Sequence, residues 1–278
     1  MSHKLTVLPY LIKFTPKIPI NSTQVGAQTK DNTESDTINE SNTNELKINI
    51  YGFDLDHTVI KPKSPNSRFA RSSTDWQFMT YSKNSHSKST LQTLFEIVKN
   101  DPLGQIVIFS NQGGIVAIPP TSKSCIKFTD KVQLFLKAIS EQDVEKKLIN
   151  NIWIYAAPKQ PASLFKSRKL KSATIKGKVT KSLNVGNESI SKSTSTTTVL
   201  TPELFDSMRK PNIGMFKEFE KDFKLLVGNI STEIKCTGQL VWIYYCGDAA
   251  GRSNDFSDSD KKFAKNCGVD FKTPEEIF

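Results

Sequence analysis

Two aspartates two residues apart, Asp54 and Asp56, stand in the run Phe53-Asp54-Leu55-Asp56-His57-Thr58. In an extended segment, side chains at i and i+2 point to the same side. Desolvating two carboxylates so placed is costly unless a cation or a proton lies between them. The pair alone is equally compatible with a capped turn. A second cluster, Ser110-Asn111-Gln112-Gly113-Gly114, combines a hydroxyl, two amides and two glycines. That composition suits a phosphate or oxyanion cradle, because glycine lets backbone N–H groups approach closely. A third, Arg209-Lys210-Pro211-Asn212, offers a lysine able to neutralise a phosphate or to hold a carboxylate ionised. A fourth, Cys246-Gly247-Asp248-Ala249-Ala250-Gly251-Arg252 followed by Asn254-Asp255, adds a third acid in Asp248. Carboxylates, a backbone carbonyl, water and a substrate oxygen together suit Mg²⁺. Each cluster has an ordinary explanation as a turn or a surface basic pair. Their joint occurrence is the signal.

The elements that must position these residues are short apolar runs: Ile48–Phe53, Ile106–Phe109, Ile152–Tyr155 and Val241–Cys246. Each reads as a buried strand ending at a polar or glycine-bearing turn. Helical patterns lie between them. Leu91, Leu94, Phe95 and Val98 follow Ser89 as N-cap, and Val132, Phe135, Leu136 and Ile139 follow Thr129. Phe216, Phe219 and Phe223 follow Asn212, and Phe263 follows Ser257. The alternation predicts an α/β fold with a doubly wound, mostly parallel sheet covered on both faces. Such sheets bind ligands at the carboxyl ends of their strands. Three of the four predicted strands end in residues capable of chemistry.

The chain of 278 residues has a formal charge of +10, and 37% of it is hydrophobic. The charge is concentrated. Residues 159–192 hold nine Lys/Arg against one acid, Glu188. This Ser/Thr-rich stretch cannot bury enough apolar surface to offset its ordering entropy, so 160–200 is expected to be a disordered basic insertion. It reads either as a solvated loop or as a tether for a phosphate backbone, adding salt-sensitive affinity. Residues 21–45, rich in Asn, Thr, Ser and Gln, form a second low-complexity segment. Residues 1–20 read as an arm packed on the domain, so the expected organisation is 1–45 as arm and linker and 46–278 as one domain. Leu5–Ile12, broken by Pro9, is too short for a signal-peptide core. No run of 18 apolar residues is present, which excludes a helical membrane span of that kind. Four scattered cysteines without a CxxC pair disfavour a disulfide scaffold or structural zinc and favour a reduced compartment.

The order of these clusters resembles the haloacid-dehalogenase superfamily of aspartate-nucleophile phosphatases. Within it, the chain is similar to the 3′-phosphatase domain of the polynucleotide kinase/phosphatase family. FDLDHT resembles the first motif, FSNQGG the second, RKPNIGMF the third, and CGDAAGR with DFSDSDKKFAKN and TPEEIF the fourth and its extension. The arm MSHKLTVLPYLIKFTPK and the block IKPKSPNSRFARSSTDWQF resemble the stand-alone yeast branch. The resemblance implies a Rossmann-like sheet without a large cap. It also implies a Mg²⁺-dependent phosphatase that removes 3′-phosphates from DNA strand-break ends through an aspartyl-phosphate.

Carried over by motif, Asp54 is the nucleophile, and Asp56 the general acid/base, kept protonated by its setting. Ser110 and Lys210 bind phosphate. Asp54, Asp56 and Asp248 hold the metal, with Asp255 as a supporting acid. Thr58, Asn111, Gln112, Arg209 and Arg252 are expected at the substrate. The block holding Arg68, Phe69, Arg71, Trp76 and Phe78 is a candidate clamp for a terminal nucleotide, with Trp76 read as core. Three departures stand out. His57 replaces a common glycine. The first basic residue after the second motif is Lys123. No GxxxxGK[ST] loop is present, so no 5′-kinase is expected. A monomer acting in the nucleus on DNA is the resulting expectation. A small-molecule phosphomonoesterase on this fold, or a non-catalytic break-binding module, are the alternatives.

Overall fold

The four apolar runs form the centre of a seven-stranded sheet in the computed structural model, which describes residues 2–17, 46–81, 88–162, 164–165, 199–234 and 238–278. The strands are β1 (His3–Leu8), β2 (Leu11–Pro16), β3 (Leu46–Phe53), β6 (Gln105–Gln112), β7 (Ile152–Pro158), β8 (Gly238–Cys246) and β9 (Phe271–Lys272). Their order is β1-β2-β7-β6-β3-β8-β9. The five from β7 to β9 run parallel, and the β1–β2 hairpin closes one edge antiparallel to β7. Pro9, which interrupts the apolar run in the sequence, lies in the hairpin turn. The arm therefore belongs to the sheet: Phe14 of β2 pairs with Ile154 of β7. Residues 18–45 and 166–198 lie outside the described residues, and with them most of the insertion expected at 160–200.

Helices α1 (Thr90–Asn100), α2 (Lys123–Gln142) and α3 (Lys147–Asn151) pack on one side of the sheet. On the other lie α4 (Pro202–Met208), α5 (Gly214–Ile234) and α6 (Ser259–Cys267), and α7 (Pro274–Ile277) follows β9. Alternate residues of each strand serve opposite faces. Phe53, Ile106, Ile108 and Ile154 meet Leu94, Val132, Phe135 and Ile139 on one face. Ile50, Val107, Phe109, Trp153 and Tyr155 meet Met215, Phe219, Phe223 and Phe263 on the other. Each such side chain contributes about 1.5–3 kcal/mol by leaving water.

Ser89 caps α1 with a reciprocal box to Gln92, as expected. Three other helix starts differ from expectation. Helix α2 begins at Lys123 under Ser122, and Thr129 sits within it, its hydroxyl donating to Ile126 O. Cys125 and Phe128 already lie on the buried face, so the apolar stripe extends N-terminal to Thr129. Asn212 precedes α5 but donates its amide to Asp206 O. Asp258 occupies the cap position of α6, while the Ser257 hydroxyl accepts from Ser259 N–H.

The chain passes from β3 to β6 and β7 on one side, then returns to place β8 on the other side of β3. In sheets of this kind such a reversal marks the carboxyl ends of the strands beside it, here β3 and β8, as the place where ligands bind. The small hairpin of β4 (Ile60–Lys61) and β5 (Gln77–Phe78) lies in the excursion after β3. Among the described residues there is no large cap.

Candidate active site

Asp54 lies immediately after β3, with its backbone N–H donating to Cys246 O at 2.8 Å. This bond continues the β3–β8 pairing and fixes the first acid beside the fourth cluster. Lys210 reaches the same point from the segment between α4 and α5. Its Nζ is 2.5 Å from Asp54 Oδ1, 2.7 Å from Asp260 Oδ1 and 2.8 Å from the Tyr245 hydroxyl. Asn111 pins the lysine backbone, accepting from Lys210 N–H at 2.9 Å and donating to Lys210 O at 2.8 Å. The second and third clusters are thus joined through Asn111, which has both ends of its amide occupied.

Asp260, in the first turn of α6, is an acid that motif spacing does not single out. It is buried, and its Oδ2 accepts from Ala249 N–H while Oδ1 takes Lys210 and Tyr245. Gly247 makes this approach possible, since a Cβ there would lie 2.5 Å from the Asp260 carboxylate carbon. Gly52 plays the same part for Tyr245, whose ring would meet an added Cβ at 2.8 Å. A glycine directly before Asp248 is the signal that a buried group crowds this strand end.

Asp54, Asp248 and Asp260 each offer an oxygen within 4.8 Å of the others. Among the described residues, the Lys210 ammonium contacts two of these three carboxylates, Asp54 and Asp260. Burial, reinforced by Asp260 and Asp248, pushes the Asp54 carboxyl well above the usual range despite Lys210. Burial and Asp260 raise Asp248 as well. Burial works against the Lys210 ammonium, but Asp260 and Asp54 keep its pKa above the ordinary lysine value. The cluster therefore has excess negative charge that a proton or cation must balance. Among the described residues, no hydrogen-bond donor of another residue contacts Asp54 Oδ2 or the Asp248 carboxylate. These oxygens form an all-oxygen donor set of the kind a hard divalent cation such as Mg²⁺ takes.

Asp56 is held differently. Its Oδ2 accepts from Gln112 Nε2 at 2.7 Å, and its Oδ1 is 2.9 Å from Lys131 Nζ. Burial opposes its charge, but Lys131 and Gln112 together keep the carboxyl below the usual carboxylate range. This corrects the expectation that the setting keeps Asp56 protonated, because a buried lysine of α2 faces it. Gln112 also donates to Ser110 Oγ at 2.8 Å, placing the hydroxyl of the second cluster next to the acid.

The remaining expected residues fall into two groups. Thr58 is buried, and its hydroxyl accepts from Asp248 N–H at 3.1 Å, so it joins the first and fourth loops. Asp255 accepts from the N–H groups of Ala250 and Arg252 and from Arg252 Nε, which places it in a loop brace outside the three-acid cluster. Arg252 extends the brace to Glu275 and to Asp248 O. Arg209 donates to Ala157 O, and its guanidinium lies 3.6 Å from where a Gly113 Cβ would be.

Trp76 and Phe78 turn inward onto Phe135. Phe69 is 72% exposed and Phe256 74% exposed, with the Arg68 guanidinium 3.8 Å from the centre of the Phe256 ring. His57 has φ of 66°, the left-handed region a glycine occupies freely, and its Nε2 contacts Arg68 O at 2.8 Å. Sequence spacing also passes over Tyr81, whose hydroxyl contacts the carbonyls of His57 and Thr58 at 2.6 and 2.9 Å. Its ring stacks on Phe278.

Residues 49–278 match the family model described as polynucleotide kinase 3 phosphatase. The chain is 46% identical, over its whole length and 99% of the relative's, to a polynucleotide 3′-phosphatase of Saccharomyces cerevisiae. It is 45% identical to a polynucleotide 3′-phosphatase of Saccharomyces mikatae, again over its whole length and 96% of the relative's. A bifunctional polynucleotide phosphatase/kinase of Schizosaccharomyces pombe is 28% identical over 96% of this chain, which spans 51% of that protein. With an aspartate, a lysine and two further acids gathered at the switch point of its sheet, the chain belongs to the polynucleotide kinase 3 phosphatase family.

Proposed function

We propose that this chain is a Mg²⁺-dependent polynucleotide 3′-phosphatase that removes 3′-phosphates from DNA strand breaks during repair in the nucleus. The observation that carries the reading is the Asp54–Lys210 pair, with carboxylate oxygens of Asp54, Asp248 and Asp260 within 4.8 Å of one another. Asp54 Oδ2 attacks phosphorus and forms an aspartyl-phosphate. Lys210 and the Ser110 hydroxyl hold phosphate oxygens as charge redistributes. Asp54, the Asp56 carbonyl and Asp248 would hold Mg²⁺, which offsets the repulsion between an anionic nucleophile and an anionic phosphate. Asp260 keeps Lys210 charged and oriented.

Asp56 gives a proton to the leaving 3′-oxygen, then removes one from the water that hydrolyses the intermediate. The Lys131 and Gln112 contacts, which hold its carboxyl below the usual range, suit the second step. An anionic phosphate arriving beside it raises its proton affinity and prepares the first. The exposed rim of Phe69, Phe256 and Arg68 offers faces on which a terminal nucleotide stacks.

The test is phosphate release from oligonucleotides carrying either a 3′- or a 5′-phosphate, with and without Mg²⁺. The reading expects release from the 3′-phosphate with Mg²⁺ and none from the 5′-phosphate. Release from sugar or nucleotide monophosphates alone would replace it with a small-molecule phosphatase. DNA binding without turnover would replace it with a binding module.

A further inference from the structure

Helix α2 covers the site with one lysine turned inward. Lys123, Lys127 and Lys137 are exposed, whereas Lys131 is buried. It follows Phe128 by three residues and precedes Phe135 by four, which places it on the apolar face of the helix. A lysine there is costly unless its charge is met. Among the described residues its Nζ has one hydrogen-bond partner, Asp56 Oδ1 at 2.9 Å. The other carboxylate oxygen is taken by Gln112 Nε2 at 2.7 Å. Both oxygens of Asp56 are thus held from separate elements, one by the helix and one by the end of β6.

We infer that Lys131 is a positioning residue for Asp56, fixing with Gln112 the plane of the carboxyl group that transfers the proton. The inference rests on the phosphatase reading. In the first step the bond from Asp54 to phosphorus forms, the bond from phosphorus to the leaving oxygen breaks, and Asp56 delivers a proton to that oxygen. In the second step water forms the new bond to phosphorus, the acyl-phosphate bond breaks, and Asp56 takes up the proton from water. An aryl phosphate releases a stable aryloxide and needs no proton in the first step, yet its intermediate still needs Asp56 in the second. A residue that only pins the helix to the domain has no reason to separate these steps.

The experiment compares wild type with Lys131→Met, Lys131→Gln and Lys131→Arg on a 3′-phosphorylated oligonucleotide and on p-nitrophenyl phosphate. For Lys131→Met, kcat on the oligonucleotide is expected to fall about 10- to 100-fold with KM within about twofold. On the aryl ester it is expected to give a burst of nitrophenolate equal to the enzyme concentration, then a slow steady state. Intact-protein mass spectrometry should find phosphoenzyme during that slow phase. Lys131→Arg is expected to recover most of kcat, and Lys131→Gln to fall between.

Two results overturn the inference: a folded Lys131→Met or Lys131→Gln variant with wild-type kcat, or a variant that loses burst and steady state together. If the methionine variant does not fold, the glutamine variant decides by the same criteria. Wild-type protein that turns over neither substrate refutes the phosphatase reading itself, a failure distinct from that of Lys131.

Discussion

Lys210→Met removes the ammonium held by Asp54 and Asp260 while keeping a side chain of similar length. Lys210 Nζ lies 2.5 Å from Asp54 and 2.7 Å from Asp260. At an effective dielectric of about 20, each contact is worth about 6 kcal/mol before desolvation. Desolvation of buried ions takes back much of this, and removing one partner of a buried pair leaves a net loss of about 3–5 kcal/mol. For a domain of this size that corresponds to a fall in Tm of roughly 6–20 °C.

The loss also depends on pH. Without the ammonium, Asp54 and Asp248 are raised further above their unfolded pKa values. Folding then binds protons, and stability falls as pH rises through the raised values. The deficit is larger at pH 8 than at pH 6. A divalent cation bound to the same oxygens should restore part of it. The assay is thermal and urea unfolding of wild type and variant at both pH values, in chelator and in millimolar Mg²⁺. The expected result is a large deficit in chelator that narrows with Mg²⁺. A variant as stable as wild type in chelator, or one that Mg²⁺ stabilises no more than wild type, would refute the electrostatic account of the cluster.

His3 is buried with its pKa lowered from 6.5 to about 4, chiefly by burial and against a hydrogen bond to Ile152 O. Below its ordinary value the unfolded chain takes up a proton that the folded chain refuses, so stability falls from pH 6.5 toward pH 4. The loss is about 3 kcal/mol at the foot, and urea unfolding of His3→Gln across this range should lack that slope. Asp260→Asn should lower kcat by about 10²-fold or more through Lys210, whereas Asp255→Asn should lower it less than tenfold; equal effects in steady-state assays would contradict the assignment of Asp260 as the lysine's holder. His57→Gly relieves a left-handed backbone but loses the Arg68 contact, each about 1 kcal/mol. Stability should therefore stay within about 1 kcal/mol, while KM for an oligonucleotide rises several-fold and that for an aryl phosphate does not.

The central strands are legible because each is a short β-branched or aromatic run closed by a polar turn. The four clusters are legible because three of them sit at those turns. The hairpin at the edge is not, because its pairing joins Phe14 to Ile154, and Pro9 looks like a break rather than a turn. Asp260 is obscured for a local reason: an acid in the first turn of a helix is expected for the helix dipole alone. Its real partners, Lys210 and Tyr245, come from distant segments. Lys131 carries a readable signal, a charge on the apolar face between Phe128 and Phe135, but what it faces depends on packing α2 over the β3 loop. Thr58, Asn111 and Gln112 have the right types for substrate contacts. The structure engages each with a neighbouring motif, because crowded loops at a strand end must satisfy their own polar groups first.

The most direct test of the account is to find the phosphoryl group on the protein. Rapid acid quench during turnover of a 3′-phosphorylated oligonucleotide, followed by borohydride reduction and peptide mass mapping, converts an aspartyl-phosphate to homoserine. The account predicts homoserine at position 54, and neither homoserine nor phosphate release in Asp54→Asn. Modification at another aspartate, or undiminished turnover by a folded Asp54→Asn variant, would contradict it.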